Sequence, residues 1–350
     1  MNHLKEKIVS DLKSAGACAV GVAEACPVET GEWERFQAWL ARGDNGPLGY
    51  MHNYPALRRD PRELLSGARS IVCAAWPYLP PTLRDPSLPF LARYAYAPDY
   101  HKTLRRLLKP LLRSWTEFYA SVFPSPVSPT SVSSSQRTLS AVFRGEAPGE
   151  RVSPPLQGRI CIDSAPVLER YWAVKAGLGF VGRNRCLIVP GVGSWVFLSE
   201  ILLTAPLPPD SPCTLTCCDC GACLAACPAA ALTPDGIDCR RCHSALTVEA
   251  PGSLASPDLP CTAVFRGEAP EERVSPPLAG CDRCQEVCPH NRGARPTTVG
   301  ALQPLPQILT LTAAELRAMT PDGFAARYGA SSLSRMGLTG LLANLPATTP

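Results

Sequence analysis

Apolar positions in the first third of the chain recur at two spacings, and each predicts an element. Leu4, Ile8, Val9, Leu12 and Ala15 follow helical spacing, so residues 3–15 are expected to form a helix ended by Gly16. The apolar run from Ala17 to Ala23 reads as the first strand. Trp33, Phe36 and Leu40 mark one face of a second helix over 32–42, stopped at Gly43. Gly43 to Tyr50 reads as a loop and Ser70 to Ala75 as a second strand. After a proline-rich stretch, Leu104, Leu108, Leu111, Leu112, Trp115 and Tyr119 define a longer helix. Lys102, Arg105, Arg106, Lys109 and Arg113 fall mostly on its other side, and Pro110 is expected to kink it.

Further on, residues 121–140 are rich in Ser and Pro and read as a loop. Asp163 or Ser164 is placed to cap a helix with Pro166 in its first turn and Val167, Leu168, Trp172, Ala173 and Ala176 on its apolar side. The segment GLGFVGRN at 177–184 carries three glycines in six positions with G-x-G-x-x-G spacing but no phosphate loop, and a tight turn is the simplest reading. Residues 185–190 and 194–203 read as sheet. Thr312 and Glu315 fit a capping box that opens a helix running to about Tyr328, with a frayed end after Asn344. One 18-residue segment occurs twice, at 141–158 and 263–280, differing only at Gly149 against Glu271 and Gln157 against Ala279. Its glycines, prolines and charges suit an exposed loop.

The cysteines change this picture from a plain α/β chain to a redox one. Cys217, Cys220, Cys223 and Cys227 precede Pro228, and Cys281, Cys284 and Cys288 precede Pro289, with Cys242 upstream. Two runs of this form are what a pair of four-iron clusters needs, with the cysteine before each proline reaching across to the other cluster. The spacing therefore assigns Cys217, Cys220, Cys223 and Cys288 to one cluster and Cys227, Cys242, Cys281 and Cys284 to the other. A zinc ribbon or disulfides explain the two proline-terminated runs less well, and Cys213 and Cys218 lie near enough to compete as ligands. Iron–sulfur thiols must stay reduced, which points to the cytoplasm.

Charge adds little, since 34 basic and 30 acidic side chains leave a net +4 that neither requires nor excludes nucleic acid. The N-terminus is too charged for a signal peptide, and no apolar run is long enough to span a membrane.

Beyond the cysteines, ARYAYAPDYHKTLRRLL at 92–108, RICIDSAPVLERYWAVKAGLGFVGRN at 159–184 and GSWVFLSEILL at 193–203 resemble the tRNA epoxyqueuosine reductases. So do WLARGDNGPLGYM at 39–51, DCRRCHSALTVE at 238–249 and GCDRCQEVCPHN at 280–291. The resemblance implies an α+β fold: a nitroreductase-like cobalamin-binding domain at 1–208, a ferredoxin-like domain with two [4Fe-4S] clusters at 209–295, and a helical segment at 296–350. It implies reduction of epoxyqueuosine at the wobble position of tRNA, with Asp163 as the proton donor. That role calls for a carboxyl pKa raised by burial or nearby negative charge.

Tyr100 and His101 are then expected near the corrin or substrate, with His101 no lower ligand because this family holds its cofactor base-off. Gly177, Gly179, Gly182, Arg183 and Asn184 are expected at a cofactor, and Arg105, Arg106 and Lys109 at RNA. A ferredoxin or flavodoxin would donate electrons to a monomer. The competing readings are a cobalamin-dependent reductase of a small molecule and a two-cluster electron-transfer protein.

Overall fold

The computed structural model describes residues 1–123, 154–255 and 277–346. Most of the segment repeated at 141–158 and 263–280 lies outside them. Helix α1 (Asn2–Ser14) leads into β1 (Ala19–Glu24), α2 (Thr30–Ala41), a short α3 (Pro55–Arg59) and β2 (Ser70–Pro77). The long α4 (Tyr100–Val122) follows, then β3 (Gly158–Cys161), α5 (Glu169–Lys175), the small hairpin β4 (Phe180–Val181) and β5 (Leu187–Ile188), and β6 (Val196–Leu203).

Strands β1, β2, β6 and β3 form one antiparallel sheet in that spatial order. Successive strand side chains point to opposite faces, and here both faces are covered. Val72, Ala74, Trp76, Phe197, Ile201 and Leu203 meet Leu4, Ile8 and Leu12 of α1 and Leu104, Leu108 and Trp115 of α4. Ile71, Cys73, Ala75, Cys161 and Leu202 meet Trp33 of α2 and Trp172 and Ala173 of α5. Burial on both faces explains why β2 and β6 read as continuous apolar runs rather than alternating ones. Helix α4 continues through Pro110, whose ring sits on the exposed side.

The cysteine-rich stretch has little regular structure: α6 (Ala222–Ala225), the hairpin β7 (Leu232–Thr233) and β8 (Gly236–Ile237), α7 (His243–Glu249) and α8 (Arg283–Glu286). It is docked onto the sheet domain by polar contacts at the start of β6. Asn291 Oδ1 accepts the Ser194 N–H at 2.7 Å, and the Ser194 hydroxyl donates to Gln285 at 2.9 Å. Arg93 donates to Asp282 at 3.2 Å and to Glu286 at 3.0 Å, with its guanidinium 4.7 Å from the Trp195 ring centre.

Four short helices close the chain: α9 (Pro306–Leu309), α10 (Ala313–Ala318), α11 (Pro321–Tyr328) and α12 (Gly337–Asn344). Thr312 and Glu315 make the expected capping box. The single helix expected from there to Tyr328 is instead two, because Pro321 forces Thr320 into an extended conformation, from which its hydroxyl caps α11. Ile308, Leu316, Phe324, Tyr328 and Leu341 share a core with Leu91, Ala95 and Tyr96 and with Leu278, at the end of the second repeated segment. Leu156, its counterpart in the first, packs instead in the core over the sheet. The described end of the second copy is buried, unlike the exposed loop expected, whereas in the first Leu156 is buried and Pro154, Pro155 and Gln157 are exposed. Among the described residues no helix is long and apolar enough to cross a membrane.

Arg84 ties the proline-rich stretch to the C-terminal helices. Its buried guanidinium donates to the carbonyls of Ile308, Leu311 at 2.7 Å and Pro89 at 3.2 Å. Arg84→Met keeps the stem but strands these acceptors, each at about 1–3 kcal/mol when buried. Urea unfolding should show a loss of about 3 kcal/mol, and wild-type stability would mean that the carbonyls find other donors.

Candidate active site and cysteine pockets

Asp163 lies just beyond β3, the edge strand, in a left-handed conformation with φ of 53°. It does not cap α5, whose N-terminal flanking residue is Leu168 with no side-chain cap. Its carboxylate turns instead toward the start of α4, where Oδ2 accepts from the Tyr100 hydroxyl at 2.7 Å and meets His101 Nε2 at 2.9 Å. The other imidazole nitrogen, Nδ1, meets Asp99 Oδ1 at 2.9 Å, and the same oxygen accepts the His101 N–H at 3.0 Å as the α4 cap. An imidazole between two carboxylates donates from both nitrogens when it is the cation. Tyr100 is stacked between His101 and Phe197 of β6, with ring centroids 4.0 Å away on each side, and Tyr78 extends the stack beyond Phe197 at 4.4 Å.

Burial pushes the Asp163 carboxyl up, but hydrogen bonds from His101 and Tyr100 outweigh it and hold the pKa below the ordinary 3.8. Burial pulls His101 down, but Asp163 and Asp99 more than compensate and hold it above 6.5. The resting proton therefore sits on His101 rather than on Asp163, which corrects the expectation of an elevated Asp163 pKa. Asp163 stabilises the fold at pH above 3.8, a contribution lost as pH falls through its depressed pKa. His101 stabilises it below 6.5, a contribution lost as pH rises through its elevated pKa. Burial and the Asp163 charge keep the Tyr100 phenol protonated, so it remains a donor.

The cysteines line two pockets. Cys217, Cys220, Cys223 and Cys288 line the first, with Cys218 also at its wall. Cys227, Cys242, Cys281 and Cys284 line the second. Each cysteine that precedes a proline thus stands with the other run. Among the described residues no three His, Cys, Asp or Glu side chains converge on a single-ion site. A tetrahedral zinc draws four ligands to about 2.3 Å of one point, whereas a cubane takes one thiolate at each corner iron, so these pockets fit cubanes.

The first pocket offers a further test of fit. Asn184 and His290 line it, and Asn184 Nδ2 and His290 Nε2 are buried with no hydrogen-bond partner among the described residues. Cluster sulfurs would satisfy both. Burial pushes the Cys281 thiol up to about 12, so this thiol sheds its proton only as iron arrives.

Gly182, Arg183 and Asn184 stand at the first cysteine pocket rather than at Asp163. A Cβ on Gly177 would sit 2.5 Å from Ser211 O and one on Gly179 2.1 Å from Ile188 O, so these two glycines admit the chain's own backbone and not a cofactor. Arg105, Arg106 and Lys109 lie exposed on α4. Three residues escaped the sequence reading. Cys186 lies against Cys284; Glu169 accepts the Asp163 N–H; and Glu200 is wholly buried in β6. An acid in the middle of the apolar run VFLSEILL was the available signal for the last.

The family model described as "Epoxyqueuosine reductase QueG, DUF1730" matches residues 58–122, from α3 through α4. The epoxyqueuosine reductase of Leadbetterella byssophila is 32% identical over 345 residues, spanning 99% of this chain and 98% of that one. The chain belongs to the epoxyqueuosine reductase family. It is an oxidoreductase of that class. The epoxyqueuosine reductase of Yersinia pestis is 31% identical over 353 residues, spanning 99% of this chain and 82% of that one.

Among solved structures, an epoxyqueuosine reductase with an epoxyqueuosine-modified tRNA-Tyr stem loop superposes with a TM-score of 0.75 at 25% identity, covering 98% of this chain and 80% of that one. The Bacillus subtilis epoxyqueuosine reductase, solved with a catalytic aspartate loop swung out of its active site, gives 0.73 at 25% identity over the same shares. The fold of this chain is the α+β fold of these reductases.

Hydrogen bonds to cluster sulfurs raise reduction potential. Asn184→Leu and His290→Phe should each move the first cluster of the reconstituted protein to a more negative potential in a redox titration followed by electron paramagnetic resonance. An unchanged potential in both would show that neither nitrogen donates to sulfur.

Proposed function

We propose that this chain reduces the epoxide of epoxyqueuosine at the wobble position of a tRNA anticodon to the alkene of queuosine. The observation that carries this reading is the near end-to-end match to an epoxyqueuosine reductase. A related structure holding a modified tRNA stem loop supports the substrate. The change consumes two electrons and two protons, and the epoxide oxygen leaves as water. Residues 1–208 form the catalytic domain, 209–295 the cluster domain and 296–350 the C-terminal helical segment.

The cofactors are cobalamin and two [4Fe-4S] clusters. Cobalamin, when bound, supplies a strongly reducing, nucleophilic metal centre for the epoxide. Tyr100 and His101 are the residues that would face it. His101 has both ring nitrogens committed to carboxylates, which leaves none for cobalt and suits a cofactor held base-off. The eight paired cysteines hold the clusters, and Gly182, Arg183 and Asn184 pack against the first.

Asp163, half exposed at its carboxylate, meets the epoxide as its oxygen gains negative charge. The proton held by the His101–Asp163 pair passes to that oxygen, and Asp99 stabilises the imidazolium until then. Tyr100, held flat between two rings, fixes the carboxylate's direction. Electrons from a small ferredoxin or flavodoxin reach the first cluster, where Cys218 and Cys220 are exposed beside exposed Leu215, and the protein acts as a monomer. Arg105, Arg106 and Lys109 begin one turn beyond His101 and end about 12 Å along α4 from it, placed to meet phosphates flanking the reacting base.

Anaerobic turnover of epoxyqueuosine tRNA by reconstituted protein, with and without cobalamin, tests this reading; no conversion under either condition overturns it. Asp163→Asn should keep iron content and lose at least about 10²-fold in kcat. His101→Gln should move the alkaline fall of activity to lower pH, because the proton then rests on a carboxyl alone. A pH profile identical to wild type would remove His101 from the proton's path. Neutralising Arg105, Arg106 and Lys109 to Ala should weaken stem-loop binding and flatten its salt dependence by about 0.7–0.9 for each phosphate that is no longer neutralised. An unchanged slope would clear them of RNA contact.

A further inference from the structure

Glu200 stands in the middle of β6, wholly buried, directly opposite Cys73 on β2 and Cys161 on β3. No donor among the described residues reaches either of its carboxyl oxygens. Its carboxyl meets that of Glu169, the first residue of α5. Glu169 in turn accepts the Asp163 N–H, the backbone hydrogen bond at the turn that presents the proton donor. A lone carboxylate in a dry core is unfavourable by several kcal/mol, and two carboxyls in contact attract only when they share a proton.

We propose that Glu169 and Glu200 form a one-proton carboxyl pair that positions Asp163: Glu200 holds Glu169, and Glu169 holds the backbone of the Asp163 turn. Both are positioning residues, and their role rests on Asp163 being the proton donor. The turn needs such a tie. Asp163 has a left-handed backbone that a non-glycine residue adopts only when its surroundings hold it there.

The groups facing the pair are Asp163, Tyr100 of α4, Cys73 of β2, Cys161 of β3 and Arg170 of α5. Arg170 alone is cationic, and its side chain is exposed and engaged with the Arg185 carbonyl. Burial first, then the Asp163 charge, push Glu169 up to about 8, and burial with Glu169 pushes Glu200 well above 4.5. The shared proton therefore stays in place through neutrality. Because the folded state holds protons that the unfolded chain has released above 4.5, the pair costs stability as pH rises toward 8.

That sign separates positioning from a structural role. In the full-length, cluster-loaded enzyme with epoxyqueuosine stem loop, Glu200→Leu should lower kcat about 10²-fold through a misplaced donor. KM for the RNA should hold, and stability at neutral pH should be equal or higher. Glu200→Gln keeps a donor toward Glu169 and should restore most of kcat. Infrared spectra should show a protonated carboxyl in the wild type at neutral pH that is missing from Glu200→Gln. Wild-type kcat in Glu200→Leu, or no protonated carboxyl in the wild type, overturns the proposal. If the wild type does not convert the RNA, the substrate reading fails, while the infrared band and the pH dependence of stability still decide the pair.

Discussion

The register between β2 and β6 is the constraint on which the site depends. Eight residues pair from Ser70 with Leu203 to Pro77 with Val196. Side chains alternate, so this one alignment sends Phe197 to the α4 face and Glu200 to the α5 face. Phe197 becomes the platform on which Tyr100 stacks, and Glu200 becomes the floor beneath Glu169. A slip of one residue would exchange the two faces, turning the Glu200 carboxyl toward the α4 side and the Phe197 ring toward the α5 side. Covering both faces with helices makes such a slip prohibitive, since every apolar residue of β6 would meet the wrong neighbours.

Asp163 can use both faces because it follows the edge strand. In a central strand, its backbone would be flanked by partners on both sides. Beyond the end of β3 the chain turns freely, and the left-handed residue sends the backbone N–H toward α5 while the carboxylate turns to α4. The cost of a non-glycine residue in that conformation, of order 1–3 kcal/mol, is offset by hydrogen bonds that would otherwise have no partner. A rigid strand, a strained turn and a helix N-terminus therefore converge on one carboxylate.

Much of this was legible in the sequence, and the parts that were not share a cause. Helical spacing located α1, α2 and α4, apolar runs located β1, β2 and β6, and Thr312 with Glu315 announced α10, because these signals are local. The cysteine spacing grouped the thiols into sets of four that line the two pockets, since proximity in the chain restricts where neighbouring thiols converge. Asp163 was visible through family likeness, but its resting charge was not. That charge depends on Tyr100 and His101, which lie more than sixty residues earlier. Gly177 and Gly179 misled because a glycine cluster looks the same whether it admits a cofactor or, as here, a carbonyl oxygen. Glu200 was readable only as an anomaly until α5 supplied its partner.

The aromatic stack connects the Asp163 site to the second cysteine pocket. Tyr78 lies beyond Phe197 from Tyr100, and it feels the charges of Asp282 and Cys186, the neighbours of the second cysteine pocket. Asp282 is buried and accepts from Arg93, whose guanidinium lies over Trp195, and Gln285 accepts from Ser194, so the loop that carries Cys281 and Cys284 is fixed to the residues just before β6. The second cysteine pocket and the Asp163 carboxylate are thus tied to one piece of backbone. A packed core of this kind transmits displacement instead of absorbing it. A displacement at that pocket would therefore reach the start of β6 and, through Phe197, the Tyr100 ring that meets the Asp163 carboxylate.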